Sequence, residues 1–294
     1  MTQPTQAPGS PTSTLVLSVG ARSDVGSRRA VNEDSMLVAE PIYAVADGMG
    51  GHAAGDLASQ AAIAELRSVA GVSAVTVAVL QTALDDAQRT VRVIADANVR
   101  GAGTTVTGVV SALHNGEPHW IVFNVGDSRV YRQRDGALEQ LSHDHSFAQQ
   151  LVDAGSMAKE DVNTYRGRNV ITRAVGSDDS PADISLYPIR AAERVLICSD
   201  GLTTEVADVA IERLLDENPA AQAAADALVA RAILNGGRDN VTAIVIDVVS
   251  GAPADAPAGP VETASPTDSA VDDDLDEGTI ETLGRVPADP DPHH

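Results

Sequence analysis

Residues 36–48 read Met-Leu-Val-Ala-Glu-Pro-Ile-Tyr-Ala-Val-Ala-Asp-Gly. Two short apolar runs, 36–39 and 42–46, are separated by Glu40-Pro41, which reads as a turn. The same pattern recurs along the chain. Strand-like runs are expected at 15–19, 104–113, 120–125, 130–134 and 138–141, the last two around an Asp135-Gly136 hairpin turn. Others follow at 184–188, 195–198 and 241–249. Apolar spacing of helical period covers 54–69, 74–97, 204–216 and 219–234, with a short helix near 147–153. Strands grouped in hairpins, with helices in pairs between them, indicate α+β layers rather than alternating βαβ units. No Rossmann or P-loop glycine pattern and no internal repeat is present.

Both ends differ from this middle. Residues 1–14 are small, polar and Pro-rich, and from 250 the chain turns to Ala, Pro, Asp and Glu. Neither stretch has the apolar content to offset ordering entropy, so one domain is expected over 15–249, between disordered segments at 1–14 and 250–294. The net charge is −22, of which residues 250–294 carry 11 acids and one base, Arg285. An acidic balance repels nucleic acid and anionic membrane and favours cations. The single cysteine, Cys198, lies in an apolar run and reads as a small buried hydrophobe. The N-terminus has no basic and apolar leader, and no apolar run approaches about 18 residues, so a cytoplasmic protein without a membrane span is expected.

Aspartates recur where strands end: Asp47 after Ile-Tyr-Ala-Val-Ala, Asp127 after Asn-Val-Gly, Asp200 after Ile-Cys-Ser, and Asp239 just before Val241. Singly, each is ordinary turn chemistry. Together, in a chain whose seven histidines are scattered, they make an all-oxygen set suited to Mg2+ or Mn2+ and unlike a zinc site. Carboxylates gathered at one rim repel strongly unless cations neutralise them, which favours a two-metal centre.

Seven segments carry a resemblance. In order they are Ser23-Asp-Val-Gly26, Arg29-Ala-Val-Asn-Glu-Asp34, Ala46-Asp-Gly-Met-Gly-Gly-His52 and Gly103-Thr-Thr105. Val125-Gly-Asp-Ser-Arg129, Cys198-Ser-Asp-Gly201 and Gly237-Arg-Asp-Asn240 follow. The chain resembles the bacterial form of the PPM, or type 2C, family of metal-dependent serine/threonine protein phosphatases. The resemblance implies a four-layer αββα sandwich, two antiparallel sheets flanked by helix pairs. It implies that Asp47 bridges two ions (Mn2+ or Mg2+), that the Gly48 carbonyl binds one of them, and that Asp200 and Asp239 complete the protein ligands. A water activated by both cations then attacks phosphorus in line.

Arg29 falls where the family binds substrate phosphate, and a guanidinium matches two phosphate oxygens. Glu33 and Asp34 correspond to carboxylates that orient metal-bound waters. Asp127 corresponds to a third-metal residue acting with Asp200, and Asn169 stands at a flap position where relatives carry Ser. Met49 replaces the His that animal members offer as a general acid, so the leaving-group acid is open. His52 reads as a loop pin, and His143 and His145 as surface-loop residues rather than proton shuttles. Residues 145–172 correspond to the variable flap, where Arg166 and Arg168 are either handles for acidic phosphopeptides or solvated loop charges. The implied partners are phosphorylated Ser/Thr proteins and a cognate kinase, acted on by a monomer. Two rival readings use the same fold: a phosphoprotein-binding pseudophosphatase and a small-phosphoester hydrolase. Thr279 and Thr282, set among tail acids, suit either phosphorylation and docking or a purely solubilising tail.

Overall fold

Residues 241–248 are almost continuously apolar because the strand they form is covered on both faces. In the computed structural model, which describes residues 15–50, 54–99, 101–178, 180–255 and 257–264, this strand is the last long one. The chain opens with β1 (Val16–Asp24), β2 (Asp34–Ala39) and β3 (Ile42–Gly50), and Glu40-Pro41 makes the expected turn between the last two. Helices α1 (Ala54–Leu66) and α2 (Val77–Ala97) follow. Thr76 starts α2 by accepting a bond from the Val79 N–H, and the helix buries Leu80, Ala83, Leu84, Ala87 and Val91 on one stripe.

The middle of the chain is a run of hairpins: β4 (Ala102–Thr104), β5 (Val106–His114), β6 (Glu117–Val125), β7 (Arg129–Arg134) and β8 (Ala137–Gln140). After α3 (Phe147–Asp153) and a loop come β9 (Asp183–Pro188) and β10 (Arg194–Cys198). Helices α4 (Asp200–Glu205), α5 (Asp208–Glu217) and α6 (Ala221–Asn235) lead to β11 (Val241–Ser250) and β12 (Glu262–Ala264). One sheet has the order β1-β11-β10-β7-β8, the other β12-β9-β6-β5-β3-β2 with β4 attached to β3. All these pairings are antiparallel.

The strands alternate faces with a period of two, and both faces are buried. Tyr43 and Val45, Val195 and Ile197, and Ile244 and Ile246 meet between the sheets around Trp120. Their neighbours Ile42, Ala44 and Ala46 pack beneath α1 and α2, and Leu196, Cys198 and Val245 pack beneath α4, α5 and α6. The result is the expected αββα sandwich, with Cys198 fully buried as read from its run. Among the described residues no helix is long and apolar enough to cross a membrane.

A buried ion pair sits at one end of the inter-sheet core. Glu193 accepts from the Trp120 indole (2.8 Å) and from Nη2 of Arg134 (2.6 Å), and its side chain is wholly inaccessible. Glu193→Gln keeps the indole bond but removes the charge that accepts from Arg134 Nε and Nη2. Chemical denaturation is expected to show a loss of about 2 kcal/mol, the worth of one charge-assisted hydrogen bond.

Several boundaries differ from the expected ones: β1 runs on to Asp24, and the strand expected at 104–113 is split into β4 and β5. The helix expected at 204–216 is two helices, the first of which begins at Asp200, because Asp200-Gly201 opens a helix rather than closing a turn. The chain also stays against the fold beyond residue 249. Pro257 and Ala258 offer carbonyls to Arg134 and Arg132, and β12 adds a strand to the edge of β9. The placement of β12 comes from that open edge, and no local apolar pattern foretells it. Residues 1–14 and the tail threonines Thr279 and Thr282 lie outside the described residues.

Candidate metal centre

The sandwich brings one end of seven strands to a common rim. β1, β3, β6 and β10 arrive there, and β2, β7 and β11 depart. Asp34 and Asp47 face each other as cross-strand partners. Like charges directly opposite are destabilising, so this pairing already asks for a neutralising group. Asp34 and Asp127 are both 8% exposed.

Asp47 is held through its backbone by motif residues. The Asp47 N–H donates to Thr105 Oγ1 (3.0 Å), while its carbonyl accepts from the Thr105 N–H and the Thr104 hydroxyl, both at 2.9 Å. Thr105 Oγ1 also meets Ser128 Oγ at 2.8 Å, tying the Asp47 segment to the Asp127 turn. Gly126 in that turn has φ +110°, and a Cβ there would strike the Thr105 side chain at 2.6 Å. Gly48 is clamped likewise: its N–H donates to the Glu33 carbonyl at 3.1 Å, and a Cβ would lie 2.1 Å from the Gly55 carbonyl.

Asp34 carries the clearest sign of an ion site. Ser199 and Thr242 donate hydroxyls to its Oδ2 at 2.8 and 2.7 Å, but its buried Oδ1 has no protein partner. Burial, opposed by those two bonds and reinforced by Asp200 and Asp239, pushes the Asp34 carboxyl up to about 7. Burial first, then the charges of Asp34, Asp200, Asp127 and Asp239, raises Asp47 well above the carboxylate range. Asp200 is raised by burial and by Asp239, partly offset by a hydrogen bond with Asp47. Asp127 is raised well above its ordinary value by burial, then by Asp200 and Asp144. An orphaned buried carboxylate oxygen among mutually repelling acids fits a hard cation, which binds oxygen and neutralises charge. Among the described residues no group of three His, Cys, Asp or Glu closes on one point.

Arg29 reaches this rim. Its Nη2 donates to Asp239 Oδ2 at 2.7 Å, and that bond raises the guanidinium above its ordinary pKa. Glu33 takes part through its backbone, accepting from Gly48 and from the Ser59 hydroxyl (2.6 Å). Beside the centre a cleft runs between Asp127 and Asp200 on one side and Arg168 and Asn169 of the flap on the other, with Thr203 and Thr204 of α4 at its edge. Asn169 accepts from Arg168 Nε at 3.2 Å. The sequence-derived acids, Arg29, Gly48 and Asn169 therefore sit in one neighbourhood.

His145 is not the surface-loop residue expected. It is 4% exposed, accepts from the Gly126 N–H through Nδ1 (3.1 Å) and bonds Asp183 through Nε2 (3.0 Å). Its ring pins the Asp127 turn to the base of the flap. His143 is exposed and paired with Asp153, as a loop histidine should be. His52 falls outside the described residues. Sequence reading gave no role to Ser199, Thr242 or Asn240, although the first and last stand inside quoted motifs next to an aspartate.

Residues 25–230 match the family described as Protein phosphatase 2C. Serine/threonine protein phosphatase PstP of Mycobacterium tuberculosis is 39% identical over 240 residues, which make up 80% of this chain and 46% of that protein. The chain thus spans about half the length of that relative. Serine/threonine phosphatase stp of Listeria innocua is 32% identical over 240 residues, 77% of this chain and 94% of that one. Among solved structures, M. tuberculosis PstP/Ppp superposes with a TM-score of 0.75 at 36% identity, covering 81% of this chain and all of that one. The PstP catalytic domain in complex with two manganese ions gives a TM-score of 0.74, also at 36% identity.

Proposed function

This chain belongs to the protein phosphatase 2C family, and from that premise we propose that it hydrolyses phosphoserine and phosphothreonine in proteins, opposing a Ser/Thr kinase. The observation that carries the reading is the convergence of Asp34, Asp47, Asp127 and Asp200 on one rim, with a buried carboxylate oxygen left unpaired. Asp47, Asp200, Asp239 and the Gly48 carbonyl would hold two divalent cations, Mn2+ or Mg2+. Bound there, the cations supply Lewis acidity and a water acidic enough to attack phosphorus at neutral pH. The PstP structure with two manganese ions supports that count.

The chain's own residues do the rest. Arg29, on an exposed loop at the mouth, grips two phosphate oxygens and steadies charge that develops as the ester bond breaks. Asp34 and Glu33 accept hydrogen bonds from ordered water and so aim it. Asp127, Asp200 and Asn169 of the flap line one cleft, and these residues would hold a third cation if one binds there.

The test is phosphate release from a phosphothreonine peptide. Release is expected with Mn2+ or Mg2+ and not in excess chelator, with free nucleotides turned over far more slowly. Full activity in chelator would sink the reading. Asp127→Ala is expected to lower turnover about 10- to 100-fold while leaving the Mn2+-induced thermal shift of the central pair in place; loss of that shift would refute a third-ion role.

A further inference from the structure

The loop that carries Arg29 is closed at its base by Asn32, whose Nδ2 donates to Ser23 Oγ at 2.8 Å, and is otherwise held from outside. Residues 27–31 are exposed. Among the described residues, the hydrogen bonds of 25–31 to the rest of the chain end on residues 237–240, apart from Gly26 N–H to Asp24. Half of that attachment, the bonds to Val25 and Val31, comes from one side chain. Asn240 is 4% exposed, immediately before β11. Its Nδ2 donates to both the Val25 and Val31 carbonyls at 2.9 Å, and its Oδ1 accepts from the Glu33 N–H at 2.8 Å. Both amide donors are used, and they close the loop on either side of Arg29.

The same residue is fixed from behind. Its N–H donates to Asp239 Oδ1 at 2.9 Å, and its carbonyl lies where a Cβ on Gly201 would come within 1.9 Å. Asn240 is thus in register with Asp239 and with the start of α4 at Asp200. Two lesser contacts run parallel to it: Ser27 N–H to Gly237 O at 2.7 Å, and Gly26, φ +78°, which has no room for a Cβ beside the Asp239 carbonyl. No other side chain joins both flanks of the Arg29 loop to a proposed metal ligand among the described residues.

We propose that Asn240 is a positioning residue for substrate phosphate: its carboxamide fixes the 25–31 loop on the Asp239 segment and so sets where Arg29 meets the phosphate. This rests on Arg29 being the phosphate-binding residue. Without the clamp, Arg29 keeps its charge and its reach but loses its fixed distance to the metal pair. Phosphate affinity suffers; the ions stay. Orientation of this kind acts on binding and on the near-attack geometry together.

The experiment uses the full chain with Mn2+ and compares wild type, Asn240→Ala, Arg29→Ala and the double variant. Asn240→Asp, which keeps the acceptor for Glu33 and loses both donors, serves where the alanine does not fold. Inorganic phosphate binding is read by calorimetry, KM on a phosphothreonine peptide by kinetics, and Mn2+ binding by thermal shift. Asn240→Ala or Asn240→Asp is expected to weaken phosphate binding and raise KM by about tenfold, with Mn2+ midpoints within about twofold of wild type. In the Arg29→Ala background the Asn240 substitution is expected to cost nothing further, as for two residues acting through one contact. An undiminished effect there, or a loss confined to Mn2+ binding, overturns the proposal. Wild-type protein that binds phosphate with Mn2+ but releases none from peptides would instead overturn the phosphatase reading alone.

Discussion

Asp47→Asn is expected to lower kcat for phosphothreonine peptide at least about 1,000-fold while raising the melting temperature of the metal-depleted protein. Both signs follow from the same placement. Asp47 stands opposite Asp34 in the sheet and is destabilised by burial and by the charges of Asp34, Asp200, Asp127 and Asp239. Asn removes an acid that burial among like charges forces to hold a proton or a costly charge, and it keeps the volume and the hydrogen-bonding capacity toward Asp200. The bonds from Thr104 and Thr105 to residue 47 go to its backbone and persist. A folded, more stable and inactive protein is therefore the outcome. Mn2+ should lose its stabilising effect on the variant if Asp47 is the ligand shared by the proposed pair of ions. A variant retaining a tenth of wild-type turnover, or one less stable than wild type in chelator, would refute the bridging assignment.

The aspartates were legible in sequence because each follows or precedes an unbroken apolar run, and such runs are strands covered on both faces. That local pattern places an acid at a strand end, but not which strand ends meet. Seven motifs in order supplied that step through the family resemblance. What stayed hidden was long-range. Ser199 and Thr242 grip Asp34 across separations of 165 and 208 residues, and nothing beside a Ser or Thr in sequence marks it as a partner of a distant acid. Ser199 precedes α4 yet gives its hydroxyl to Asp34 rather than capping its own helix. Asn240 is similar: an Asn after an Asp reads as turn chemistry until the loop it holds is seen. The β12 strand depends wholly on the edge offered by β9, where Val261 donates to the Leu186 carbonyl at 2.9 Å. His145 departs from the pattern of its segment for the converse reason. A polar run, Leu141-Ser-His-Asp-His-Ser146, looks like surface, but its second His is buried by the partners it finds in Gly126 and Asp183.

The raised carboxylates also dictate how stability responds to pH when metal is withheld. Asp34 is pushed up to about 7 from 3.8, and Asp47, Asp127 and Asp200 are raised as well, burial being the first cause in each. Between the unfolded value near 4 and the folded value, the native state holds protons that the unfolded chain has released. Stability therefore falls as pH rises across that window, the reverse of the behaviour of an Asp paired with Arg. For Asp34 alone the loss from pH 4 to 7 is on the order of 4 kcal/mol. At about 2–4 °C per kcal/mol for a domain of this size, that is a melting temperature lower by about 10 °C. Mn2+ should act oppositely, stabilising strongly at pH 7.5 and weakly at pH 5, because its ligands must be deprotonated to bind. Melting curves in chelator and in Mn2+ at half-unit pH steps test this. Asp34→Asn isolates the site from the rest of an acidic protein: in chelator its curve should flatten relative to wild type, most of all between pH 5 and 7. If wild type and Asp34→Asn run parallel across that range, Asp34 is not the strained, half-satisfied acid that its lone unpaired oxygen implies, and the argument for a cation beside it weakens accordingly.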